Sequence, residues 1–433
     1  MKDTLIKRIE TKEFTVGIIG LGYVGLPLLY TFAEREFPCI GFDVDEEKVR
    51  MLSEGQTYIN HISSDRIVRG ADTGFVSVTA DFSRLEECDG ILITVPTPLN
   101  DQREPDLSYV VATCETIGSH LRKGQLVVLE STTYPGTTEE VMIPILERSG
   151  LKVDQDFYVA YSPEREDPNN PTYSTTTIPK VIGSTSSEGR EVAEALYGQI
   201  IAQTVLVSST KVAEATKLME NIYRSVNIAL VNEMKMTFAK MGIDIWEVIE
   251  AASTKPFGYK PFYPGPGLGG HCVPIDPFYL SWKAREFGVY TKFIELAGEI
   301  NTSMPDYVVV RIIEVLNTYG KALKESRILI LGLAYKANID DARETPSLDL
   351  MQKLEQLGAQ VSYNDPFIPV IPRTRKFDGL SGRSSVEIDR SFDLILIATA
   401  HDAYLQVDFD ALGIPIVDTR GILKGSSPFF HKA

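Results

Sequence analysis

The stretch FTVGIIGLGYVGLPLLYTFAERE, residues 14 to 36, decides the fold of the N-terminal third. It begins with a short apolar run rich in β-branched residues, passes through Gly20, Gly22 and Gly25, and continues with apolar residues at helical spacing. In such a turn the first glycine permits the bend and the second lets a pyrophosphate approach the backbone. The third lets the helix pack on the strand. The stretch therefore predicts a strand, a tight turn and a phosphate-binding helix N-terminus.

The same region contains no charged residue from Thr15 to Ala33, a length that could span a bilayer. Its glycines and Pro27 favour a buried strand, turn and helix instead. We therefore expect no membrane partner.

Asp43 ends the next apolar segment, PCIGFDVD, eighteen residues after Gly25. A carboxylate at this place accepts hydrogen bonds from the adenosine ribose hydroxyls, and its charge repels the 2'-phosphate of NADP. The combination predicts NAD as the cofactor. The alternative is a glycine turn with a surface aspartate in a domain that binds no nucleotide.

The chain has 433 residues and a net charge of -16, which suggests about three domains of roughly 150 residues. The negative charge argues against nucleic acid or an anionic membrane as partner, because both are bound through Lys and Arg. The four cysteines have no metal-ligand spacing, so we expect no metal site and a reducing compartment, the cytoplasm. The polar opening segment lacks the apolar run of a signal peptide.

Three further segments, at 90–98, 125–138 and 158–167, each read as an apolar strand that runs into a polar loop. Thr97, Thr132 and Glu164 lie in these loops. Ligands bind at the carboxyl ends of strands in open α/β sheets, so all three are candidate site residues. Taken singly, each also fits ordinary turn chemistry.

Residues 210–241 predict one long helix that is closed by Gly242. Such a helix suits a spine between two domains and a surface for self-association. Lys217 and Asn221 are one turn apart and Arg224 follows a turn later, so their polar groups project from one face. A solvated stripe explains the same spacing.

From Arg327 onward the chain repeats the pattern of strand, loop, amphipathic helix and strand, which predicts a second nucleotide fold. Lys336, Arg343 and Arg420 fall at or after strand ends, where they could hold a diphosphate. Surface ion pairs are the alternative for each residue.

The segment YPGPGLGGHCVPIDPFY, residues 263 to 279, surrounds Cys272 with glycine and proline and predicts an irregular loop. Cys39, Cys88 and Cys114 instead lie in apolar segments that suit buried structural cysteines. Reactive cysteines are partly exposed near positive charge, so Cys272 is the candidate nucleophile.

Motifs along nearly the whole chain resemble those of the UDP-glucose/UDP-mannosaminuronate dehydrogenase family. In order they are GLGYVGLP, VPTPL, STTYPGTT, SPERED, EATKLMENI, PGPGLGGHCVPIDP, LGLAYKANIDDARETPS and VDTRG. The GGHC, SPERED and TKPFG forms are most similar to the UDP-N-acetylglucosamine 6-dehydrogenase branch of bacterial surface-polysaccharide (O-antigen) biosynthesis.

The resemblance implies oxidation of C6 of a UDP-sugar from alcohol to carboxylate, with two NAD+ reduced per turnover. A thiolate adds to the intermediate aldehyde, and the resulting thioester is hydrolysed. The implied catalytic residues are the nucleophile Cys272, the oxyanion-stabilising Lys217 and Asn221, the water- and proton-handling Asp276 and Thr132, and Glu164, which assists hydrolysis. His271 stands where the UDP-glucose branch has serine, and three roles fit it: tuning of the thiol, a contact with the N-acetyl group, or a structural role.

The resemblance also implies binding residues. Those expected to contact NAD are Gly20, Gly22, Tyr23, Val24, Gly25, Asp43, Lys48, Thr97, Thr132 and Arg343. Those expected to contact the UDP-sugar are Glu164, Lys217, Asn221, Tyr263, Gly265, Gly267, Gly269, Lys336 and Arg420.

The expected fold class is α/β, with two Rossmann-like domains joined by a central helical domain. The expected bounds are 1–208 for the NAD-binding domain, 209–318 for the central dimerisation domain and 319–433 for the UDP-sugar-binding domain. A homodimer or higher homo-oligomer is expected. UDP-N-acetylglucosamine is the expected substrate, with UDP-N-acetylmannosamine or UDP-glucose as alternatives. Two alternative functional classes are a two-electron hydroxy-acid dehydrogenase and a non-catalytic NAD-sensing protein.

Overall fold

The computed structural model describes residues 1–59, 62, 64–100, 102–165, 173, 176–270, 273–374 and 376–433. The opening stretch forms the strand Val16–Ile19 and the helix Gly25–Ala33, and both elements are wholly buried. This confirms the predicted strand, turn and helix.

Eight strands from the described residues form the first sheet, in the order 3-2-1-4-5-6-7-8. In sheet order they are Val76–Thr79, Cys39–Phe42, Val16–Ile19, Gly90–Ile93, Leu126–Leu129, Tyr158–Tyr161, Lys180–Ser184 and Thr204–Leu206. The central strands are buried and parallel, and Tyr158–Tyr161 pairs antiparallel with Lys180–Ser184. The order 3-2-1-4-5-6 is that of a doubly wound nucleotide-binding sheet, which collects loops at the carboxyl ends of its strands.

A second sheet is built in the same way from the C-terminal part of the chain. Its parallel strands, in sheet order, are Gln360–Asn364, Arg327–Leu331, Leu394–Ile397, Ile416–Asp418 and Phe430–Lys432. Together the two sheets confirm the predicted α/β class with two Rossmann-like folds.

Helices cover the sheets and form the region between them in sequence. The α-helices are Lys2–Glu10, Gly25–Ala33, Glu46–Ser53, Ser64–Asp72, Ser108–His120, Ile143–Leu146, Ser187–Tyr197, Thr210–Met241, Ile245–Ser253, Asp276–Glu286, Lys292–Thr318 and Pro346–Gln356. The long helix Thr210–Met241 has the predicted bounds. None of the described helices has the length and apolar character needed to cross a membrane.

The chain divides into two compact units. The first comprises Met1–Glu220 with Phe278–Val289, and the second comprises Asn221–Pro277 with Tyr290–Ala433. Each unit holds one sheet with an apolar cluster on either face.

Candidate active site

The glycine turn of the first unit has the geometry that a dinucleotide needs. Gly20 has φ +94°, and a Cβ on Gly25 would lie 2.0 Å from the Gly20 carbonyl oxygen, so neither position accepts a side chain. A Cβ on Gly22 would meet nothing within 4 Å, which leaves open space beside the backbone for a pyrophosphate. Tyr23 and Val24 are half-buried in the same turn, directly before the helix Gly25–Ala33.

Asp43 follows the second strand and is held against this turn. Its Oδ2 accepts a hydrogen bond from the Leu21 amide at 2.9 Å, and its Oδ1 accepts one from the Asp45 amide at 3.0 Å. Lys48 Nζ lies 3.5 Å from Oδ2. The carboxylate is 6% exposed and therefore fixed, and carboxylate oxygens can accept more than one hydrogen bond each.

Thr97 and Thr132 lie in the loops after the strands Gly90–Ile93 and Leu126–Leu129, as predicted. Thr97 is buried, and its carbonyl oxygen accepts a hydrogen bond from the Tyr279 hydroxyl at 2.7 Å. Both threonines thus lie at the edge of the sheet that carries the glycine turn and Asp43. The residues of this edge fit a dinucleotide.

Lys217, which is buried, pairs with the partly buried Glu164 in the first unit. Lys217 is 5% exposed, and its Nζ donates hydrogen bonds to the Glu164 carbonyl oxygen and, at 3.4 Å, to Glu164 Oε2. Glu164 Oε1 is buried and accepts no hydrogen bond from the residues described. A buried cation and a partly buried carboxylate are therefore held together, with one buried carboxylate oxygen available to a further donor.

Asn221 and Asp276 form a second buried pair, in the second unit. The Asn221 Nδ2 group donates to Asp276 Oδ2 at 2.5 Å, and the two residues are 3% and 2% exposed. The burial of Lys217 and Asn221 rules out a fully solvated stripe on this helix. Arg224, which the same spacing grouped with them, is exposed.

The glycine loop of the second unit packs tightly against residues of the second sheet. A Cβ on Gly265 would lie 2.4 Å from Arg420 Nη1, and a Cβ on Gly269 would lie 2.5 Å from the Cβ of Tyr335. Gly267 has φ +141°, which side chains rarely adopt. Glycine is thus required for the loop to approach this edge of the sheet.

The basic residues of the second unit differ in how far they are already engaged. Arg420 Nε donates to the Ala398 carbonyl oxygen at 2.6 Å. Arg343 is half exposed, and its guanidinium pairs with Asp341 at 2.6 Å while its carbonyl oxygen accepts from the Gly270 amide. Lys336 is half-buried in the loop after Arg327–Leu331, and Tyr263 is 54% exposed. The loop and Arg420 are thus adjacent, as a shared substrate role requires.

Cys272 and His271 lie outside the described residues. Cys39, Cys88 and Cys114 are free and buried, as predicted. Burial raises the pKa of Cys88 and of Cys114 to about 12, and the pKa of Cys39 is raised for the same reason. Thiols with such pKa values are inert at neutral pH, which is consistent with structural roles.

Several buried polar residues near these sites were not found from the sequence. His401 and Asp365 pair at 3.1 Å with no exposed surface on either side chain. Lys235 is 2% exposed on the long helix, and Glu214 is fully buried three residues before Lys217. Two features of the sequence could have indicated them. Asp365 directly follows the strand Gln360–Asn364, and Lys235 lies on an apolar face of the long helix.

Comparison with known proteins accounts for nearly the whole chain. Three models of the UDP-glucose/GDP-mannose dehydrogenase family match it: the NAD binding domain at residues 14–201, the central domain at 211–303 and the UDP binding domain at 329–425.

Individual proteins match over similar lengths. The chain is 37% identical to a UDP-N-acetyl-D-glucosamine 6-dehydrogenase of Salmonella typhi, over 91% of this chain and 92% of that protein. It is 35% identical to a protein of the same name from Pseudomonas aeruginosa, with the same coverage. Among solved structures, a UDP-D-ManNAc dehydrogenase of Pyrococcus horikoshii superposes with a TM-score of 0.88 at 32% identity, over 97% of this chain and 99% of that one.

Proposed function

Because the chain belongs to the UDP-glucose/GDP-mannose dehydrogenase family and has that family's NAD binding and UDP binding domains, we propose that it oxidises C6 of a UDP-N-acetylhexosamine to a carboxylate. The preferred substrate in this proposal is UDP-N-acetyl-D-glucosamine. The observation that carries it is the identity of 37% and 35% to two proteins of that specificity over 91% of the chain. UDP-N-acetylmannosamine is the second candidate, since the protein from Pyrococcus horikoshii carries that name.

NAD is the cofactor, and when bound it accepts hydride from C6. The overall reaction consumes one alcohol, one water and two NAD+, and it yields one carboxylate, two NADH and three protons. The carbon must therefore pass through the oxidation level of an aldehyde.

The Cys272 thiolate retains this aldehyde in the proposal. Its sulfur bonds to C6 to give a thiohemiacetal, loss of a second hydride gives a thioester, and water cleaves the C–S bond to release the acid and regenerate the thiol. This role rests on the sequence, because Cys272 lies outside the described residues.

Lys217 and Asn221 stabilise the negative charge that develops on the C6 oxygen. An ammonium and an amide NH2 are suitable donors, and fixed donors in a buried site lower the barrier because they need not reorganise. The contact of Lys217 with Glu164 and the contact of Asn221 with Asp276 support this assignment, since each partner holds its donor in place.

Glu164, Asp276 and Thr132 handle water and protons. The unpartnered oxygen Glu164 Oε1 supports a role in accepting a proton from the hydrolytic water. Asp276 is buried beside Asn221, where a carboxylate can accept the proton that leaves the substrate hydroxyl.

The UDP moiety contacts the second unit. The tight packing of Gly265 against Arg420 supports a joint role for the glycine loop and the guanidinium. Lys336, in the loop after the first strand of this sheet, supplies a further positive charge.

A homo-oligomer is part of the proposal. The long helix exposes apolar side chains at spacings of seven and four residues, which lie on one face. They are Val212, Met219, Tyr223 and Leu230, with 42%, 68%, 49% and 53% of their surface exposed. A second copy of this chain would cover this face, and sedimentation equilibrium at micromolar concentration should give at least twice the mass of 48.1 kDa.

The substrate assignment is tested by comparing kcat/KM for UDP-glucose, UDP-N-acetylglucosamine, UDP-N-acetylgalactosamine and UDP-N-acetylmannosamine. We expect UDP-N-acetylglucosamine to be highest. A pocket that hydrogen-bonds an acetamido group leaves buried polar groups unpaired when UDP-glucose binds, a penalty that can reach several orders of magnitude. Preference for the mannosamine epimer would move the protein to the second candidate, and preference for UDP-glucose would refute both.

A further inference from the structure

The long helix carries a buried lysine that the proposed chemistry does not use. Lys235 is 2% exposed, and its Nζ has no hydrogen-bond partner among the described residues. Its Nζ lies 5.8 Å from the centroid of the Trp246 ring and 5.6 Å from that of the Tyr307 ring. A buried ammonium without a carboxylate or another acceptor is strongly unfavourable, so this position calls for an anionic partner.

Arg420 is a second cation with unused donors in the same neighbourhood. Its Nε donates to Ala398, whereas its two Nη groups make no hydrogen bond or ion pair within the part of the chain that the structure describes. The positive charge of Arg420 is close enough to lower the pKa of Lys235. Asp418 attracts both cations, but neither side chain forms a hydrogen bond or ion pair with it in the described part of the chain. Two cations so close together, with donors left over, are typical of a site for an anion.

Both oxygens of the nearby buried carboxylate, Asp418, accept hydrogen bonds from backbone amides. Asp418 has no exposed surface, and its Oδ1 accepts from the amides of Arg420 and Gly421 at 2.8 Å each. Its Oδ2 accepts from the Leu423 amide at 2.9 Å. Asp418 therefore stabilises its own loop and leaves the side chains of Lys235 and Arg420 without a hydrogen-bonding acid.

Other buried donors in this neighbourhood also lack acceptors in the described structure. Trp246 Nε1 and Arg311 Nε are buried and donate to no acceptor among the described residues, although the Arg311 Nη1 group pairs with Glu314. The electrostatic influence of Arg311 also reaches Lys235. We call Lys235, Trp246, Arg311 and Arg420 the donor cluster.

The donor cluster adjoins the glycine loop. Asn232, one helical turn before Lys235, accepts a hydrogen bond from the Gly265 amide at 3.0 Å, and Gly265 in turn packs on Arg420. The indole of Trp246 fills the space beside Gly421, where a Cβ would lie 2.4 Å from the ring. The cluster is therefore continuous with the segment to which the UDP moiety is assigned.

We propose that Lys235 and Arg420 together bind a phosphate group of the UDP moiety, with Lys235 as a phosphate ligand supplied by the long helix. The inference rests on the proposed nucleotide-sugar function and adds a residue to its binding site. A phosphate placed between the two cations supplies the acceptor that both lack, and an ammonium donates up to three hydrogen bonds.

The electrostatics agree with this geometry. Burial, followed by the charge of Arg420, lowers the pKa of Lys235 to about 7, while Asp418 opposes the shift and Arg311 adds to it. Tyr307 faces the amine with a neutral ring, because burial raises its own pKa. A bound phosphate dianion favours the ammonium, so UDP binding above pH 7 should take up a proton at Lys235.

The test is calorimetric titration of the full-length protein with UDP, at pH 7 and 8, for the wild type and Lys235→Met. The variant keeps the apolar stem and removes the charge. We expect at least a tenfold loss of UDP affinity with unchanged binding of uridine and of NAD+. The melting temperature of the ligand-free variant should equal or exceed that of the wild type, because an unpaired buried charge has been removed. Lys240→Met, an exposed lysine of the same helix, is the matched control.

Three outcomes would overturn the proposal: UDP affinity within twofold of the wild type, an equal loss for uridine, or a loss of pyrophosphate binding with UDP binding intact. The last result would identify a site for free phosphate. Proton uptake at pH 8, measured in buffers of different ionisation enthalpy, should be present in the wild type and absent in the variant. Lys235→Gln serves if the methionine variant does not fold. Every readout is binding without turnover, so a wrong sugar assignment leaves this test intact.

Discussion

Asp43 and Asp365 occupy equivalent positions in the two sheets, each directly after the second strand of its nucleotide fold. Asp43 Oδ2 accepts a hydrogen bond from the Leu21 amide at 2.9 Å, and Asp365 Oδ2 accepts one from the Leu333 amide at 2.6 Å. In both cases the donor follows a glycine with positive φ, +94° in the first sheet and +86° in the second. In both folds, a carboxylate after the second strand thus holds the loop after the first strand in place through a hydrogen bond.

The two carboxylates differ in what else they bind. Asp365 also accepts from the amides of Ala334, Phe367 and Ile368, and His401 Nε2 lies 3.1 Å from its Oδ2. Its oxygens are therefore committed to the protein. Asp43 has fewer internal donors, which is consistent with a ribose contact in the first fold alone.

Asp43→Asn tests the cofactor assignment. The amide oxygen can still accept from Leu21, but the negative charge that repels a 2'-phosphate is lost. We expect the ratio of kcat/KM for NAD+ over NADP+ to fall at least tenfold. Asp45→Asn, which keeps a cap for the helix Glu46–Ser53, is the control. A wild-type enzyme that uses both cofactors equally would show that Asp43 is misassigned.

His401→Ala tests whether Asp365, acting through His401, positions the loop that carries Lys336. His401 Nδ1 accepts from the Asn338 amide at 2.9 Å, so the ring ties the loop that carries Lys336 to Asp365. Its removal leaves buried polar groups unpaired and should cost about 1–3 kcal/mol of stability. The KM for the UDP-sugar should rise while the KM for NAD+ stays unchanged. Equal changes in both constants, or none, would argue against this positioning role.

Lys217→Met tests the oxyanion role. The variant keeps the buried stem and removes the ammonium, so kcat should fall about 10²- to 10³-fold, as for the loss of one oxyanion donor. NAD+ affinity should be unchanged, because the glycine turn is not altered. Lys240→Met provides the exposed control. A kcat within threefold of the wild type would remove Lys217 from the catalytic set.

Glu214 should make stability depend on pH. It accepts from the Gly136 and Thr138 amides at 2.6 and 2.9 Å, yet burial raises its pKa to about 7. The folded state therefore holds this proton more tightly than the unfolded state, whose glutamate pKa is near 4.3. The stabilisation is present below about pH 4 and is lost as the pH rises through 7.

The measurement is the melting temperature between pH 5 and 8 for the wild type and Glu214→Gln. The wild type should lose stability relative to the variant as the pH rises. Glu233→Gln, at an exposed position of the same helix, should follow the wild type. If the difference in melting temperature between the wild type and Glu214→Gln is the same at every pH, Glu214 does not titrate in this range.

The sequence predicted the periodic elements well because their signals are local. The turn of Gly20 to Gly25 and the helix Thr210–Met241 depend on residues close in the chain. The turn was predicted at the correct place, and the helix was predicted with the correct bounds. Thr97, Thr132 and Glu164 were placed in the correct loops, since strands of a parallel sheet end at one edge.

The pairings within the site could not be predicted in this way. Glu164 and Lys217 are 53 residues apart, and Asn221 and Asp276 are 55 apart, so tertiary packing alone decides their contacts. Lys235 was overlooked because lysine usually keeps its amine in water even when its stem is buried. Its burial depends on the rings of Trp246 and Tyr307, which belong to other helices.

The most direct test of the four-electron mechanism is the number of NADH molecules formed per UDP-N-acetylglucosamine consumed to completion, with the product identified by mass spectrometry. The proposal predicts two NADH and a carboxylate for the wild type. Cys272→Ala should form no carboxylate while it still binds NAD+. One NADH per sugar, or carboxylate formation by Cys272→Ala at the wild-type rate, would contradict the covalent four-electron oxidation.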